Sequence, residues 1–192
     1  FFLRDEFKIV KRRIFKNKIK NVLITFGGSD QHNLTLKSYL AIKNLCLEKS
    51  IKINIVTGPA YNALDELHKY TFDDSNVEIF HSTGIISKIM EKSDIAISSN
   101  GRTIFELAHM NIPSIIIPQH KREQSHSFAT SESGFIILKV YKKGYLTDEL
   151  KSKFEYITSN HVIRKSLMGR MSKFNFVINK DKIIKLIYNI IN

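Results

Sequence analysis

The chain has few of the residues on which disulfide-bonded folds and cysteine-ligated metal sites depend. It has one cysteine, Cys46, three prolines and no tryptophan among 192 residues. A single cysteine excludes a disulfide framework and a cysteine-based metal site. Cys46 lies in an apolar stretch of a predicted helix, so we expect a buried thiol rather than a reactive one. The histidines lack metal-ligand spacing as well, and we predict no metal site.

Long apolar runs are also missing. No run reaches the length that crosses a bilayer, and the charged residues after Phe1–Leu3 do not suit a signal peptide. We therefore predict a cytoplasmic chain. A hydrophobic content of 43% is enough for one domain with a real core.

The charge is one-sided, with a formal net charge of +12 that comes mainly from lysine. The basic residues are not clustered with aromatic residues on one face, so a nucleic-acid partner is not expected. A basic cleft for a phosphorylated ligand and a peripheral contact with an anionic membrane surface both remain open.

Apolar runs alternate with helical patterns along most of the chain. Residues 119–126 are densely polar and are expected to precede a further helix, and the chain from residue 147 onward is expected to be helical. The predicted strands are 21–26, 51–57, 76–80, 95–97, 114–117 and 135–138. This alternation predicts an α/β fold, a doubly wound, Rossmann-like parallel sheet of six strands with C-terminal helices. The simplest winding places the first and fourth strands side by side at the switch point.

Glycine-rich and polar stretches follow the predicted strands. Ligands of open parallel sheets bind at the carboxyl ends of the strands, where these loops converge. The loops are Gly27 to Asp30, Thr57-Gly58, His81, Ser99 to Thr103 and Gln119 to His126. Adjacent glycines allow a ligand to approach the backbone closely, and Ser29 or Asp30 can cap the following helix.

The first residues have no strand-turn pattern. We predict that residues 1–18 are a linker or docking segment that follows a missing N-terminal domain, and that residues 19–192 form the domain itself.

Three segments together resemble the C-terminal half of GT-B enzymes. They are FGGSD followed by NLTLK, the TGP turn, and DIAISSNGRTIFELAHMNIPSIIIP. The nearest kin are similar to the UDP-sugar hydrolase of pseudaminic-acid biosynthesis and to spore-coat polysaccharide or cytidylyltransferase-linked domains. The peptidoglycan N-acetylglucosaminyltransferase is a more distant relative.

The resemblance implies a nucleotide-sugar site at the converging loops. Gly27 to Ser29 would approach the diphosphate, Gly101 to Thr103 would bind phosphate, and Gln124 would face the sugar. Glu106 would accept the ribose hydroxyls, although it could instead form an i,i+4 pair with Arg102. The full predicted set is Gly27, Gly28, Ser29, Thr57, Gly58, His81, Ser99, Asn100, Gly101, Arg102, Thr103, Glu106 and Gln124.

The run Arg122, Glu123 and His126 departs from the hydrolase pattern. The run could contact the sugar of the substrate, or Glu123 and His126 could cap and pair on a helix. The catalytic residue is unknown, because the hydrolase histidine belongs to the N-terminal half. The chain alone is therefore expected to be inactive.

The resulting hypothesis is the UDP-sugar-binding domain of a nucleotide-sugar hydrolase in bacterial-type surface-sugar (nonulosonic acid) biosynthesis. The alternatives are the donor domain of a GT-B glycosyltransferase and a non-catalytic accessory domain attached to a CMP-sugar synthetase. The expected ligand is UDP or a UDP-sugar with no cofactor, and the expected partner is the missing N-terminal domain.

Overall fold

The computed structural model of the chain describes residues 3–144 and 146–191. Phe1 and Phe2, which belong to the predicted linker segment, lie outside these residues. The strands are β1 (Asn21–Thr25), β2 (Lys52–Thr57), β3 (Val77–His81), β4 (Ile95–Ser98), β5 (Ser114–Ile116) and β6 (Phe135–Ile137). The helices are α1 (Leu34–Glu48), α2 (Leu64–Thr71), α3 (Ile86–Lys92), α4 (Thr103–His109), α5 (Lys121–Gln124), α6 (Leu146–Ser159), α7 (His161–Met171) and α8 (Asn179–Ile191), and a 3-10 helix covers Asp5–Lys8.

The described strands form one parallel sheet in the order β3-β2-β1-β4-β5-β6. β1 pairs with β4, with Val22 opposite Ile95. The direction of winding therefore reverses between these two strands. This confirms the predicted doubly wound α/β fold and its switch point.

Both faces of the sheet are buried, as the near-continuous apolar strands require. On β1, Val22 and Ile24 belong to the core cluster that includes residues of α1 and α6. Leu23 points to the opposite face, where the second cluster includes residues of α3 and α4. All three side chains are fully buried, and Cys46 is buried in the first cluster, as expected.

The prediction of a helix after the polar segment 119–126 is wrong. The helix in this region, α5, lies inside that segment, and residues 127–134 form bends and turns. Thr130 N donates to Ser133 Oγ at 2.9 Å, and Ser133 N donates to Thr130 Oγ1 at 3.2 Å. These reciprocal side-chain bonds satisfy backbone groups that a helix would otherwise pair.

The described part of the N-terminal segment lies against the domain. Leu3 and Phe7 are buried in the second core cluster, and Arg13 N donates to Met110 O at 2.9 Å. The boundary after residue 18 stays a prediction.

The C-terminal helices agree with the expectation for residues after 147. α6 packs on α1, whereas α8 has no buried residue. Within the described residues, no helix combines the length and apolar character needed to cross a membrane. The cytoplasmic location stays a prediction.

Candidate functional site

The loops after β1 and β2 are in direct contact. A β-carbon on Gly58 would lie 2.5 Å from Gly28 Cα and 2.7 Å from Gly27 O. Ala60 N donates to Gly28 O at 3.1 Å. Gly27 has a φ of +80°, which favours glycine. The two predicted glycine loops therefore meet, and the absence of a side chain at position 58 permits the contact.

Asp30 caps the helix that follows the first loop. Its carboxylate is buried and accepts hydrogen bonds from Leu34 N at 2.8 Å and Thr35 N at 2.7 Å. These are among the backbone donors that a helix start leaves without a partner. The prediction that Ser29 or Asp30 caps this helix is confirmed for Asp30, while Ser29 remains exposed at the loop surface.

The turn between β4 and α4 is tied to the loop after β5. Asn100 Nδ2 donates to Glu123 O at 2.7 Å and to His126 O at 3.2 Å. His126 Nδ1 lies 2.7 Å from Asn100 O. Asn100 Oδ1 is buried and has no hydrogen-bond partner within the described residues. The turn that carries Ser99 to Thr103 is therefore held in place from the side by residues 123–126.

Glu123 organises the loop after β5. Its Oε2 accepts from Gln119 N at 2.8 Å, and its backbone N donates to His120 Nδ1 at 3.3 Å. Gln119 Nε2 also donates to Phe26 O at 3.3 Å, which links this loop to the end of β1. The side chain that caps α5 is that of His120, while the Glu123 carboxylate bonds the backbone just before the helix.

Two neighbouring residues are left accessible. Arg122 and Gln124 are exposed on α5. Sugar contacts by Arg122, Glu123, Gln124 or His126 stay predictions.

Thr57 and His81 end the two outer strands of this side. Thr57 Oγ1 lies 3.0 Å from His81 Nδ1, and Ser82 N donates to Thr57 O at 2.9 Å. Thr57 is buried and His81 is exposed. The pair places one imidazole ring at the carboxyl edge, and two strands, β2 and β1, lie between its strand and β4.

Glu106 is buried on α4 and pairs with Arg4. Arg4 Nε donates to Glu106 Oε1 at 3.0 Å, and the Arg4 side chain is half exposed. Burial raises the pKa of Glu106, while Arg4 and, more weakly, Arg102 oppose the shift. The i,i+4 alternative had Arg102 as the partner, whereas the ion pair here is with Arg4.

Arg4 is the residue that sequence reasoning missed. It lies 102 positions before Glu106 in a segment set aside as a linker. No spacing rule connects residues so far apart. The ribose-binding role of Glu106 stays a prediction.

The carboxyl edge thus combines glycine loops, a buried polar turn and an ion-paired carboxylate. The glycosyltransferase family 28 C-terminal domain matches residues 21–133, the stretch that contains all of these loops. The chain belongs to this family. The predicted site residues therefore all lie within the family 28 match, and Arg4 lies before it.

Two curated proteins are similar to this family 28 domain. MJ1062 of Methanocaldococcus jannaschii, described as uncharacterized, is 32% identical over 171 residues, which is 81% of this chain and 35% of its own length. The spore coat polysaccharide biosynthesis protein SpsG of Bacillus subtilis is 22% identical over 116 residues, or 59% of this chain and 34% of its own. The chain spans about a third of the length of these curated relatives.

Solved structures show the same fold. MurG of Acinetobacter baumannii superposes with a TM-score of 0.71 at 15% identity, over 96% of this chain and 52% of its own. The UDP-GlcNAc 2-epimerase of Neisseria meningitidis, bound to UDP-GlcNAc, gives 0.69 at 15% identity, over 92% and 46%. At this identity the likeness establishes the fold, that of the C-terminal half of GT-B proteins.

Proposed function

We propose that this family 28 domain is the donor-binding half of a GT-B glycosyltransferase and that it binds a UDP-sugar at the carboxyl edge of the sheet. The family match supports the transferase alternative better than the hydrolase hypothesis, which no comparison supports. The UDP-GlcNAc bound to a protein of the same fold also favours a nucleotide-sugar ligand.

The meeting of the two glycine loops carries this proposal. A β-carbon on Gly27 or Gly28 would have no heavy atom within 4 Å on the open side, whereas Gly58 closes the loops from behind. Exposed backbone beside open space lets a diphosphate approach closely. The buried turn at Ser99 and Asn100 lies on the neighbouring side of the switch point.

The chemical contribution of this half would be to bind the leaving group. Transfer of the sugar leaves negative charge on UDP, which backbone N–H groups and the Arg102 side chain would stabilise. The acceptor and a base would come from the rest of a longer protein, so this chain alone should not turn over a UDP-sugar.

Glu106 would bind the ribose with Arg4 as its positioning partner. A carboxylate can accept from two adjacent hydroxyl groups, provided that it is ionised. Burial disfavours the ionised form and raises the pKa of Glu106, and the Arg4 guanidinium at 3.0 Å offsets part of that shift. Arg4 thus acts against burial and favours the anionic form of Glu106.

Calorimetry with UDP, CMP and ADP tests the proposal. We expect UDP to bind in preference to the other two, although weakly, because a partner domain would complete the cleft. Glu106→Gln should lose about 1.5–3 kcal/mol of UDP binding, since it replaces a charged hydrogen bond by a neutral one. Its stability should change by about 1 kcal/mol or less, because the amide still accepts from half-exposed Arg4.

Glu155→Gln, on an exposed position of α6, is the matched control and should leave UDP affinity unchanged. Equally negligible binding of all three nucleotides would refute the nucleotide site. Unchanged affinity in Glu106→Gln would refute the ribose role alone.

A further inference from the structure

A cavity of about 580 Å³ lies at the opposite edge of the sheet from the glycine loops. Its lining includes Asn21 and Lys52, the first residues of β1 and β2, and Asp94, which immediately precedes β4. The remaining walls come from Asn54 on β2, Glu78 and Phe80 on β3, Ile85 with α3, and the segment 13–20. Since β2 has six residues, the two edges are about 20 Å apart. The lysines at the amino edge are therefore remote from the glycine loops, although the lining also reaches Phe80, the residue before His81.

The cavity has an unbalanced set of charges. Its three carboxylates are Asp94, Glu78 and Glu91; its seven cations are Arg13, Lys16, Lys18, Lys20, Lys52, Lys88 and Lys92. Lysine is common throughout this chain, so an excess of positive charge alone does not make a binding site. What distinguishes this cavity is which of its charged side chains already have a partner in the protein.

All three carboxylates already have partners. Asp94 pairs with Arg13 and accepts from Lys20 N at 2.8 Å. Glu78 pairs with Lys52 at 2.6 Å, and Glu91 accepts from the backbone N of Lys11 at 3.0 Å. The remaining lysines of the lining have no ion pair within the described residues; they are Lys16, Lys18, Lys20, Lys88 and Lys92. Five ammonium groups thus face one cavity in which Glu91 is the carboxylate without a cation partner, and the lining keeps an excess of four positive charges.

Asn54 supplies a second, independent observation. It lines the cavity from β2 and is only 6% exposed. Its side-chain amide makes no hydrogen bond with any other described residue. The Asn54 amide is not among the fully enclosed polar atoms without a partner, so it is open to the cavity and free to hydrogen-bond water or a ligand. Phe80 and Ile89 beside it give the floor an apolar part.

We propose that this cavity binds a small polyanion, an organic phosphate or a polycarboxylate, whose charged groups contact the lysines while Asn54 hydrogen-bonds it at the floor. The volume is in the range of small-molecule sites rather than of a flat macromolecular surface. The lysines act as point charges that adapt to phosphate or carboxylate, and the apolar floor accommodates a carbon skeleton.

Calorimetry of the chain with inorganic tripolyphosphate and with citrate, each with and without excess UDP, tests this site. Binding of one equivalent that UDP does not displace is expected, and the stronger of the two anions identifies the ligand class. The double variant Lys88→Gln/Lys92→Gln should bind that anion about tenfold or more weakly, because it removes two charge-assisted contacts. The control Lys151→Gln/Lys153→Gln makes the same charge change at exposed positions of α6 and should cost less than about twofold.

Asn54→Asp tests the floor of the cavity without changing its shape. An anion in place of the amide should abolish polyanion binding, and a thermal melt confirms that the variant is folded. If the cavity variant and the control lysine variant weakened anion binding equally, binding would depend on the overall charge of the chain and not on this cavity. That result would overturn the proposal. Binding of a single-stranded RNA oligonucleotide when both small anions fail would overturn it too. None of these outcomes depends on whether the chain binds UDP.

Discussion

The two edges of this sheet are formed by different kinds of side chain. At the carboxyl edge, short polar side chains such as Asp30 and Asn100 bond to the backbone of neighbouring loops, and glycine loops touch directly. At the amino edge, long lysine side chains surround a cavity, and several have no ion-pair partner within the described residues. Both arrangements suit an anion, but the first is fixed before a ligand arrives and the second adapts to it.

This difference has an energetic consequence. Removing a buried, hydrogen-bonded group leaves its partners unsatisfied and costs stability, whereas an exposed lysine can be replaced at little cost. Substitutions that disturb the glycine loops or the buried turn at the carboxyl edge should therefore lower both stability and nucleotide binding. Substitutions of the lysines should lower anion binding and leave stability nearly unchanged.

Asp94 is an exception at the amino edge, because it is a nearly buried, paired group among exposed lysines. It is nearly buried at the amino edge, where it pairs with Arg13 and accepts from Lys20 N and Asn21 N. Asp94→Asn should lower the free energy of unfolding by about 3 kcal/mol, because a buried ion pair broken on one side leaves an uncompensated charge. Urea denaturation measures the change.

Asp73→Asn, at an exposed loop position, is the control for Asp94 and should change stability by less than about 0.5 kcal/mol. A loss below about 1 kcal/mol in Asp94→Asn would mean that the wall formed by residues 13–20 does not depend on this carboxylate.

Gly58→Ala probes the carboxyl edge and should have the next largest effect. The added β-carbon would lie 2.5 Å from Gly28 Cα, so one of the two loops must move. We expect a loss of about 1–3 kcal/mol of stability, as for other overpacked sites. UDP affinity should fall in parallel, because the displaced loop is the one proposed to approach the diphosphate. Thermal unfolding and calorimetry on the same sample measure both.

Gly84→Ala is the matched control, since a β-carbon there would meet no heavy atom within 4 Å. Loss of stability with full UDP affinity in Gly58→Ala would separate the loop contact from the nucleotide site. Wild-type stability would contradict the close approach itself.

Features that depend on a local sequence pattern could be predicted from the sequence. The apolar strands predict the sheet and its switch point, and an acid placed four residues before the helix predicts the Asp30 cap. The helix after residue 126 was wrong because the hydroxyl groups of Thr130 and Ser133 stabilise a turn that periodicity does not reveal.

Features assembled from distant segments could not be predicted. The Arg4–Glu106 pair joins residues 102 positions apart, and the lysine cavity draws on four separate stretches of chain. Neither leaves a spacing signal, because each depends on how the N-terminal segment packs against the folded sheet. Such features follow from tertiary packing alone.

Lys52 gives the smallest expected effect on stability and the most direct test of the adaptable edge. Its ammonium lies 2.6 Å from Glu78 Oε2, but both side chains are 47% exposed. Water screens such a pair and holding it costs side-chain entropy, so Lys52→Gln should change the free energy of unfolding by less than about 1 kcal/mol. Glu78→Gln should cost equally little, and it should strengthen tripolyphosphate binding because it releases Lys52 toward the cavity. If Lys52→Gln instead destabilised the chain as much as Gly58→Ala, the amino edge would be as rigidly determined as the carboxyl edge, and the distinction between them would fail.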